Sequence, residues 1–262
     1  MINGFYDTTG AMVTQFNRLN QISNNLANVN TNGFKQDSLI IGTFERLFKQ
    51  TRDKLPLENN TKEAAKFLNR NLNKVPQIVE EYTNFSLGNM IKTSNPLDIA
   101  LKNKNSFFVL DTPSGDKITR DGAFSLDENG FLVNKKGFKV LDINDKPIKL
   151  PQNTKNITID NDANIYINGE KLTTLKIVSI DNLKDIKKVG NNMWDFVPGS
   201  EIISTKNTTI QGFIEKSNVN VIKEMTDLIE TNRLVEQYQK VMTTFMDDLN
   251  KDAIEKLANV RA

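Results

Sequence analysis

The sequence has neither cysteine nor histidine among its 262 residues. Without cysteine there can be no disulfide, thiolate nucleophile or cysteine metal site, and the chain suits either a reducing or an oxidising compartment. Without histidine, His-based catalytic triads and HExxH zinc sites are excluded, together with the commonest general base near neutral pH. The two absences remove the most familiar nucleophilic and zinc-dependent classes of enzyme.

An excess of charge of one sign and a long apolar run are also missing. The 34 basic and 32 acidic residues leave a net charge of +2, which is too small to indicate a nucleic-acid or anionic-lipid partner. No stretch approaches about 18 uninterrupted apolar residues, so we expect no membrane insertion. The first residues, MINGFYDTTGAMVTQF, are acidic and polar where a secretory signal needs a basic start, and no cleavable signal is visible.

No Walker loop, Rossmann fingerprint or nucleophile elbow occurs in the sequence. The closest approach to a metal site is Asp160, Asp162 and Asn164, which imitate the start of a calcium-binding loop. Ile165 stands where such a loop requires glycine, and Lys171 stands where a bidentate glutamate belongs. We therefore expect a turn at this position, and we assign no catalytic residue, cofactor or metal ligand.

Apolar residues near the N-terminus recur at steps of three, four and seven, which predicts a helix with one apolar stripe. The stripe includes Phe5, Met12, Phe16, Leu19, Ile22 and Leu26. Gly4 and Gly10 each lower the helix propensity by about 1 kcal/mol relative to alanine, so the helix needs a partner. The pattern fits an ordinary core-facing helix and a coiled-coil helix equally well.

The stretch SNNLANVNTNGFK, residues 23–35, is crowded with residues that stop helices. Asparagine side chains bond their own backbone and tolerate the left-handed region, and Gly33 enters that region without steric cost. We therefore expect the helix to end near Ala27. On composition alone the stretch is a polar helix C-terminus followed by a loop.

The strongest periodic signal lies near the C-terminus, where five apolar residues occupy successive heptad positions. These residues are Val221, Leu228, Val235, Met242 and Leu249, with Tyr238 and Phe245 beside them. They predict roughly 35 residues, or about 50 Å, of helix. Ser217 and Asn220, just upstream, are both good helix caps.

Between residues 76 and 216 the apolar period shifts towards two and turn residues arrive regularly, which is typical of an all-β body. Asn129 with Gly130 predicts a hairpin whose two-residue turn needs positive φ at both positions. A second hairpin is expected to bend around residues 161–164, and Asn168 with Gly169 makes a third. Gly122, in the segment TRDGAF, is also expected at positive φ.

Residues 37–75 are more charged and carry two short helical patterns, at 41–48 and 61–72. We interpret this segment as a connecting arm between the terminal helices and the β body. Disorder in the free protein is the alternative interpretation.

Three parts of the chain resemble the bacterial flagellar rod and hook protein family. The N-terminal signature of that family is matched at Asn25, Leu26, Ala27, Asn28, Thr31, Gly33, Phe34 and Lys35. The segments at 93–101 (TSNPLDIAL) and 118–141 resemble motifs of the family's β body. The motif G-x-[VIL]-E-x-S-N-V-N is resembled at 212–220, through Ser217, Asn218, Val219 and Asn220. Asn103 and Asn105 stand where the family has glycine, and asparagine is the next most tolerant residue at positive φ.

The resemblance implies an α+β fold in which N- and C-terminal helices pair in a coiled-coil-like helical domain around an inserted all-β body. The helical domain comprises residues 1–36 and 217–262, the connecting arm 37–75 and the β-rich body 76–216. The apolar stripes of the two helices become assembly surfaces. The implied function is a non-enzymatic, structural subunit of the flagellar rod, the drive shaft that transmits torque across the periplasm.

The resemblance also implies partners and a location. Subunits of the family travel unfolded through the flagellar type III export apparatus, without a cleaved signal, and assemble helically in the periplasmic rod of the basal body. The implied partners are further copies of the chain, other proximal rod proteins, the distal rod protein and the export apparatus, with no nucleic acid. TSNPLDIAL looks more like the proximal than the distal rod proteins, and the length excludes a full hook protein.

Two alternatives are kept. The first is a distal rod protein of the same family. The second, from another class, is a cell-wall glycan hydrolase, which would need two inward carboxylates about 5 to 9 Å apart.

Overall fold

The computed structural model describes residues 2–43, 76–151, 156–184, 186–196, 201–203, 206 and 208–259. The described residues form two helices, α1 (Ile2–Ala27) and α2 (Val221–Asn259), with 18 strands between them. The strands are β1 (Asp37–Thr43), β2 (Pro76–Thr83), β3 (Met90–Lys92), β4 (Ile99–Leu101), β5 (Ser106–Asp111), β6 (Lys117–Thr119), β7 (Ser125–Leu126), β8 (Leu132–Val133), β9 (Lys139–Val140), β10 (Ile157–Ile159), β11 (Asn164–Ile167), β12 (Glu170–Thr174), β13 (Ile177–Ile180), β14 (Lys187–Gly190), β15 (Met193–Asp195), β16 (Glu201–Ile203), β17 (Thr209–Gln211) and β18 (Phe213–Glu215). The predicted α+β class, with an N-terminal helix, a largely β body and a C-terminal helix in chain order, is confirmed.

Helix α1 ends at Ala27, as the density of asparagine after residue 23 predicts. Gly33 follows in the left-handed region with φ of 66°, which is also as predicted. Neither helix, over the residues described, combines the length and the apolarity that crossing a membrane would need.

The first of two compact units contains both helices and the sheet of β1 and β2. It comprises the described residues of Met1–Leu26, Asp37–Tyr82 and Val221–Ala262. Three hydrogen bonds attach the sheet to α1, and in one of them the Asp37 N–H donates to Asn25 Oδ1 over 3.1 Å. Thr14 Oγ1 donates to the Pro76 carbonyl over 2.9 Å, and Asn25 Nδ2 donates to the Asp37 carbonyl over 2.9 Å.

The helical pattern predicted at 41–48 is wrong over residues 41–43, which belong to β1. Ile40 and Ile41 are β-branched and favour a strand once a partner such as β2 is present. The remainder of that pattern, and the pattern at 61–72, lie outside the described residues.

The second unit, formed by Ala27–Gln36 and Thr83–Asn220, contains the β body. Nine strands form one sheet in the order β14-β15-β6-β5-β9-β8-β7, with β13 paired to both β5 and β16. Strands β10, β11 and β12 form a separate sheet, β4 pairs with β17, and β3 pairs with β18. The predicted domain boundaries stay a prediction, and contacts group residues 27–36 with the β body.

Strand β5 lies between the two apolar clusters of the β body. Phe108 and Leu110 belong to one cluster, whereas Phe107 and Val109 belong to the other. The separation follows from strand geometry, because successive side chains point to opposite faces. In the second cluster the rings of Phe107 and Trp194 meet edge to face, with centroids 5.9 Å apart. Strand β5 is therefore buried on both faces and is the central strand of this unit.

The predicted turns differ in outcome. Asn168 and Gly169 have φ of 51° and 90° and join β11 to β12, which confirms the third hairpin. Between β7 and β8, Gly130 has φ of 82° but Asn129 lacks a positive φ. The Asp127 side chain accepts the Asn129 N–H over 2.9 Å, and this side-chain turn lengthens the connection. The predicted two-residue mirror turn is therefore wrong at this hairpin.

Gly122 is required for a different reason from the predicted one. Its φ is not positive, so that prediction is wrong. A Cβ at this position would lie 1.7 Å from the Ile99 carbonyl oxygen. The Ile99 N–H donates to the Gly122 carbonyl over 2.9 Å, so two backbone segments meet too closely for any side chain. Asn103 and Asn105 also lack positive φ.

Candidate functional site

The segment that follows α1 enters the β body at Gly33. The Gly33 N–H donates to the Glu215 carbonyl on β18 over 2.7 Å. A Cβ on Gly33 would lie 2.4 Å from the carbonyl carbon of Arg120 and 2.6 Å from its oxygen. Glycine is therefore demanded here twice, by the left-handed φ and by the contact with the Arg120 backbone.

Lys35, two residues after Gly33, has its charged side chain buried inside the β body. The side chain is fully buried, and Nζ donates to Glu215 Oε1 over 2.6 Å and to the Ser86 carbonyl over 2.7 Å. The same carboxylate oxygen accepts the Gly88 N–H over 2.8 Å. A lysine that the sequence pattern places in a polar loop is thus bonded deep inside the β body.

Arg120 reaches the same carboxylate from the other side. Its Nε and Nη2 donate to Glu215 Oε2 over 3.0 and 2.5 Å. Nη1 donates to the carbonyls of Asn103 and Ser106 over 2.5 and 2.6 Å. The guanidinium fork is fully buried, and it fastens the loop before β5 to strand β18. We call the cluster of Gly33, Lys35, Arg120 and Glu215 the motif junction.

The motif junction holds two cations for one carboxylate. Burial lowers the pKa of the Lys35 ammonium from 10.5 to about 8, with repulsion from Arg120 adding to the effect and Glu215 opposing it. Burial by itself would raise the pKa of the Glu215 carboxyl, but attraction to Arg120 and Lys35 and its hydrogen bonds bring the pKa below 4.5. The carboxylate therefore stays ionised, and the junction depends on it for charge balance.

The two terminal motifs also meet directly. Gln36 N–H donates to Asn218 Oδ1 over 2.8 Å, and Asn218 Nδ2 donates to the carbonyls of Asn84 and Ser86 over 2.7 and 3.1 Å. Phe34 is buried, and Lys188 Nζ lies 4.3 Å from its ring centroid. A single asparagine of the C-terminal motif therefore clamps the N-terminal motif and the strand connection beside it.

The remaining motif residues shape the chain locally. Thr31 closes the turn after α1, with its N–H and Oγ1 bonded to the Asn28 carbonyl and side chain over 3.0 and 3.2 Å. Ser217 Oγ accepts the Val219 N–H over 3.2 Å. Asn220 stands immediately before α2. Leu26 is half-buried and Ala27 is exposed.

In the first unit, contacts between α1 and α2 run in antiparallel order. A Cβ on Gly4 would lie 3.2 Å from Cζ of Phe245. Thr9 Oγ1 lies 3.5 Å from Met242 Sδ, Arg18 lies 3.9 Å from Asp227, and Asn25 Nδ2 lies 3.3 Å from Glu224 Oε2. In these four contacts residue numbers rise along α1 as they fall along α2, which is the order expected of two antiparallel helices.

Of the predicted apolar stripes of α1 and α2, Ile22 and Val235 are buried. Small and polar residues are buried as well: Ala11, Thr14 and Asn25 on α1, with Glu224 and Thr231 on α2. The predicted residues Phe5, Met12, Leu19, Leu26, Leu228, Tyr238, Met242, Phe245 and Leu249 are half-buried, while Phe16 and Val221 are exposed by 39% and 37%. A helical repeat of 3.6 drifts away from a strict heptad, and small residues allow the closest approach of two helices. The assembly role of the stripe stays a prediction.

Sequence reasoning missed two members of the motif junction, Arg120 and Glu215. Both stand inside quoted motifs, TRDG and G-x-[VIL]-E, so the signal was a charged residue of each sign within family patterns. Spacing in the sequence gave no sign that they would meet, because 95 residues separate them.

The calcium-loop imitation is a turn, as predicted. Asp160 Oδ1 accepts the N–H groups of Asp162 and Asn164 over 2.9 and 2.8 Å, and Oδ2 accepts Asn164 Nδ2 over 2.9 Å. The carboxylate oxygens are thus occupied by the chain itself. Among the described residues, no group of three or more acidic side chains is arranged to hold a metal ion.

Comparison with known proteins covers both terminal segments and much of the body. Family models match for the flagella basal body rod protein at residues 6–35, the flagellar hook protein FlgE/F/G D1 domain at 103–167 and the flagellar basal body rod FlgEFG protein C-terminal region at 210–255. Flagellar basal-body rod protein FlgF of Rhizobium meliloti is 31% identical over 265 residues, with 100% of both chains covered. The chain belongs to the flagellar basal-body rod protein family.

Another rod protein of the family, FlgG of Buchnera aphidicola subsp. Acyrthosiphon pisum, is 33% identical over 257 residues, covering 93% of this chain and 95% of that one. The predicted family is therefore confirmed, and the chain is a structural protein rather than an enzyme. Each of the three matched regions contributes to the motif junction: Gly33 and Lys35 lie in the first, Arg120 in the second and Glu215 in the third.

Proposed function

We propose that this chain is a structural subunit of the flagellar rod that assembles helically with its neighbours through its two terminal helices. The observation that carries the proposal is the match along the whole chain to proteins named flagellar basal-body rod proteins. The coiled-coil-like pairing of the helices is part of the proposal, supported by the antiparallel contacts between α1 and α2.

The exposed apolar residues of α2 support assembly through the helices. Ile222, Met225 and Ile229 are exposed by 79%, 51% and 53%. Their spacing of three and four puts them on one stripe of the helix. Contiguous apolar patches of this kind mark interaction sites in soluble proteins. Neighbouring subunits that cover this stripe would make α2 the main assembly helix.

We propose a proximal position in the rod, with the distal position as the alternative. The segment TSNPLDIAL, which ends in β4, supports the proximal position. Relatives named FlgF and FlgG match at nearly equal identity, 31% and 33%, so neighbours must be identified by experiment. Crosslinking from the exposed residue Lys136 in purified basal bodies should capture other proximal rod subunits. Capture of hook-side subunits alone would favour the distal position.

Delivery by the flagellar type III export apparatus and a periplasmic location complete the proposal. The family resemblance of both terminal segments supports them. Cells that lack a working flagellar export apparatus should retain the whole chain in the cytoplasm. Export that persists in such cells would contradict this part of the proposal.

The assembly proposal is tested by Val235→Asp. Val235 is the buried heptad residue of α2, exposed by 6%. A carboxylate there loses its hydration without gaining a partner, at a cost of several kcal/mol. With the variant as the sole copy, cells should lose motility and basal bodies should lack the rod beyond this subunit.

The matched control is Gln237→Asp, which adds the same charge at an exposed position of α2 and should leave cells motile. The thermal transition of the β body should be unchanged in both purified variants, because the substitutions lie in the first unit. A motile Val235→Asp strain would refute assembly through this helix seam.

A further inference from the structure

We infer that Glu215 couples two segments of the β body, so that residues 31–36 and strand β18 enter or leave it together. Glu215 lies on β18 and pairs with Met90 of β3. Its backbone carbonyl accepts the Gly33 N–H, and its side chain accepts the Lys35 ammonium. One residue of the later segment therefore holds the earlier one through both backbone and side chain.

Arg120 contacts both segments, residues 31–36 through its backbone and β18 through its guanidinium. Its guanidinium binds Glu215 and the carbonyls of the loop before β5, while its own backbone faces Gly33. If residues 31–36 leave the β body, the Arg120 backbone loses its packing against Gly33, and the Glu215 carbonyl loses the Gly33 N–H. If β18 withdraws, the guanidinium and the ammonium both lose their carboxylate.

Removing the charge of Glu215 and removing that of Lys35 should have unequal effects. Without Lys35, Glu215 still has Arg120 and the Gly88 N–H as partners. Without the negative charge of Glu215, Lys35 and Arg120 are two buried cations that keep backbone carbonyls and, for Arg120, the Phe107 ring as partners, but no anion to balance them. Buried like charges repel strongly in a medium of low dielectric constant. Neutralising Glu215 should therefore open the segment that carries Lys35 together with β18. Neutralising Lys35 should leave both segments in place, because Glu215 keeps Arg120 and its carbonyl keeps the Gly33 N–H.

Hydrogen exchange of the full-length chain, read by mass spectrometry, tests the coupling. The variants are Glu215→Gln, Lys35→Met and the double variant. Glu215→Gln should raise exchange in residues 31–36 and 213–218 together, by about tenfold or more, the effect of leaving a buried charged group unpartnered. Exchange in the β11–β12 hairpin should stay within about twofold of the parent chain.

The double variant supplies the decisive comparison. Removing the Lys35 charge relieves the repulsion with Arg120, so exchange in residues 31–36 should fall below that of Glu215→Gln alone. A general loss of stability would not be relieved by a second buried substitution. Additive effects of the two substitutions would overturn the inference, because independent groups add.

Gly33→Ala tests the same coupling without changing a charge, and it serves also if Glu215→Gln does not fold. The added methyl group meets the Arg120 backbone, so exchange should rise in 31–36 and in 213–218 alike. Gly169→Ala is the matched control, since Gly169 also has positive φ but has nothing within 4 Å of its Cβ position. That control should affect only residues 164–174. Opening of 31–36 by Gly33→Ala with 213–218 unchanged would overturn the inference.

Discussion

Gly122→Ala tests whether a close backbone approach, rather than φ, demands glycine in the TRDG motif. The added Cβ would lie 1.7 Å from the Ile99 carbonyl oxygen and 3.1 Å from Cε2 of Phe108. Ordinary contact distances are about 3.5 Å, so the two backbone segments must separate by more than about 1 Å. The separation breaks the bond from the Ile99 N–H to the Gly122 carbonyl.

Two costs combine. Overpacking of a closed interior costs about 1 to 3 kcal/mol, and a buried hydrogen bond left unmade costs about 1 to 3 kcal/mol. We expect Gly122→Ala to lower the free energy of unfolding of the β body by about 3 kcal/mol. Urea unfolding followed by the fluorescence of Trp194, the single tryptophan, reports this unit because that side chain is buried within it.

Gly137→Ala is the control for backbone strain alone. Gly137 has φ of 84° and nothing within 4 Å of its Cβ position, so alanine there should cost only about 1 to 2 kcal/mol. If Gly122→Ala costs no more than this control, the close-approach argument is refuted.

Two further predictions concern Lys35 and Asn25. The folded pKa of Lys35, about 8, lies below 10.5, so between these pH values the unfolded chain binds a proton that the folded chain does not. The free energy of unfolding should therefore rise with pH across this window by up to about 3 kcal/mol relative to Lys35→Met, in paired urea titrations; parallel curves would contradict the burial of the ammonium. Asn25→Ala removes hydrogen bonds to the Asp37 backbone and to Glu224. It should lower the free energy of unfolding of the helices by about 2 kcal/mol, seen as a lower melting temperature in circular dichroism. An unchanged melting temperature would show that Asn25 does not hold α1 in place.

The end of α1 and the β11–β12 hairpin were predictable because residues adjacent in the sequence determine them. The asparagine-rich stretch after residue 23 ends α1 at Ala27, and Gly33 takes the left-handed region. The hairpin at Asn168 and Gly169 follows from two residues that both tolerate positive φ. Family membership was predictable from motifs alone, since these record residue types at fixed spacing.

Which side chains of α1 and α2 are buried was harder to predict, for a geometric reason. A heptad pattern identifies an apolar stripe, but the depth of each position depends on where the partner helix lies. Ala11, Thr14 and Asn25 are buried although none belongs to the stripe, while Phe16 is exposed. Small and polar side chains give no periodic apolar signal, so their burial becomes visible only in the tertiary structure, where Thr14 and Asn25 also bond the sheet of β1 and β2.

The amino-acid sequence by itself therefore determined the class of the protein, the α+β order of its elements and the glycine needed at residue 33. Tertiary structure decided which charges are buried together. Lys35, Arg120 and Glu215 are far apart in the chain and each would be placed on the surface by its residue type. Their burial depends on mutual compensation, since a charged side chain enters the interior only where another segment brings its partner. That pairing is a property of long-range contacts, which no local pattern of residues records.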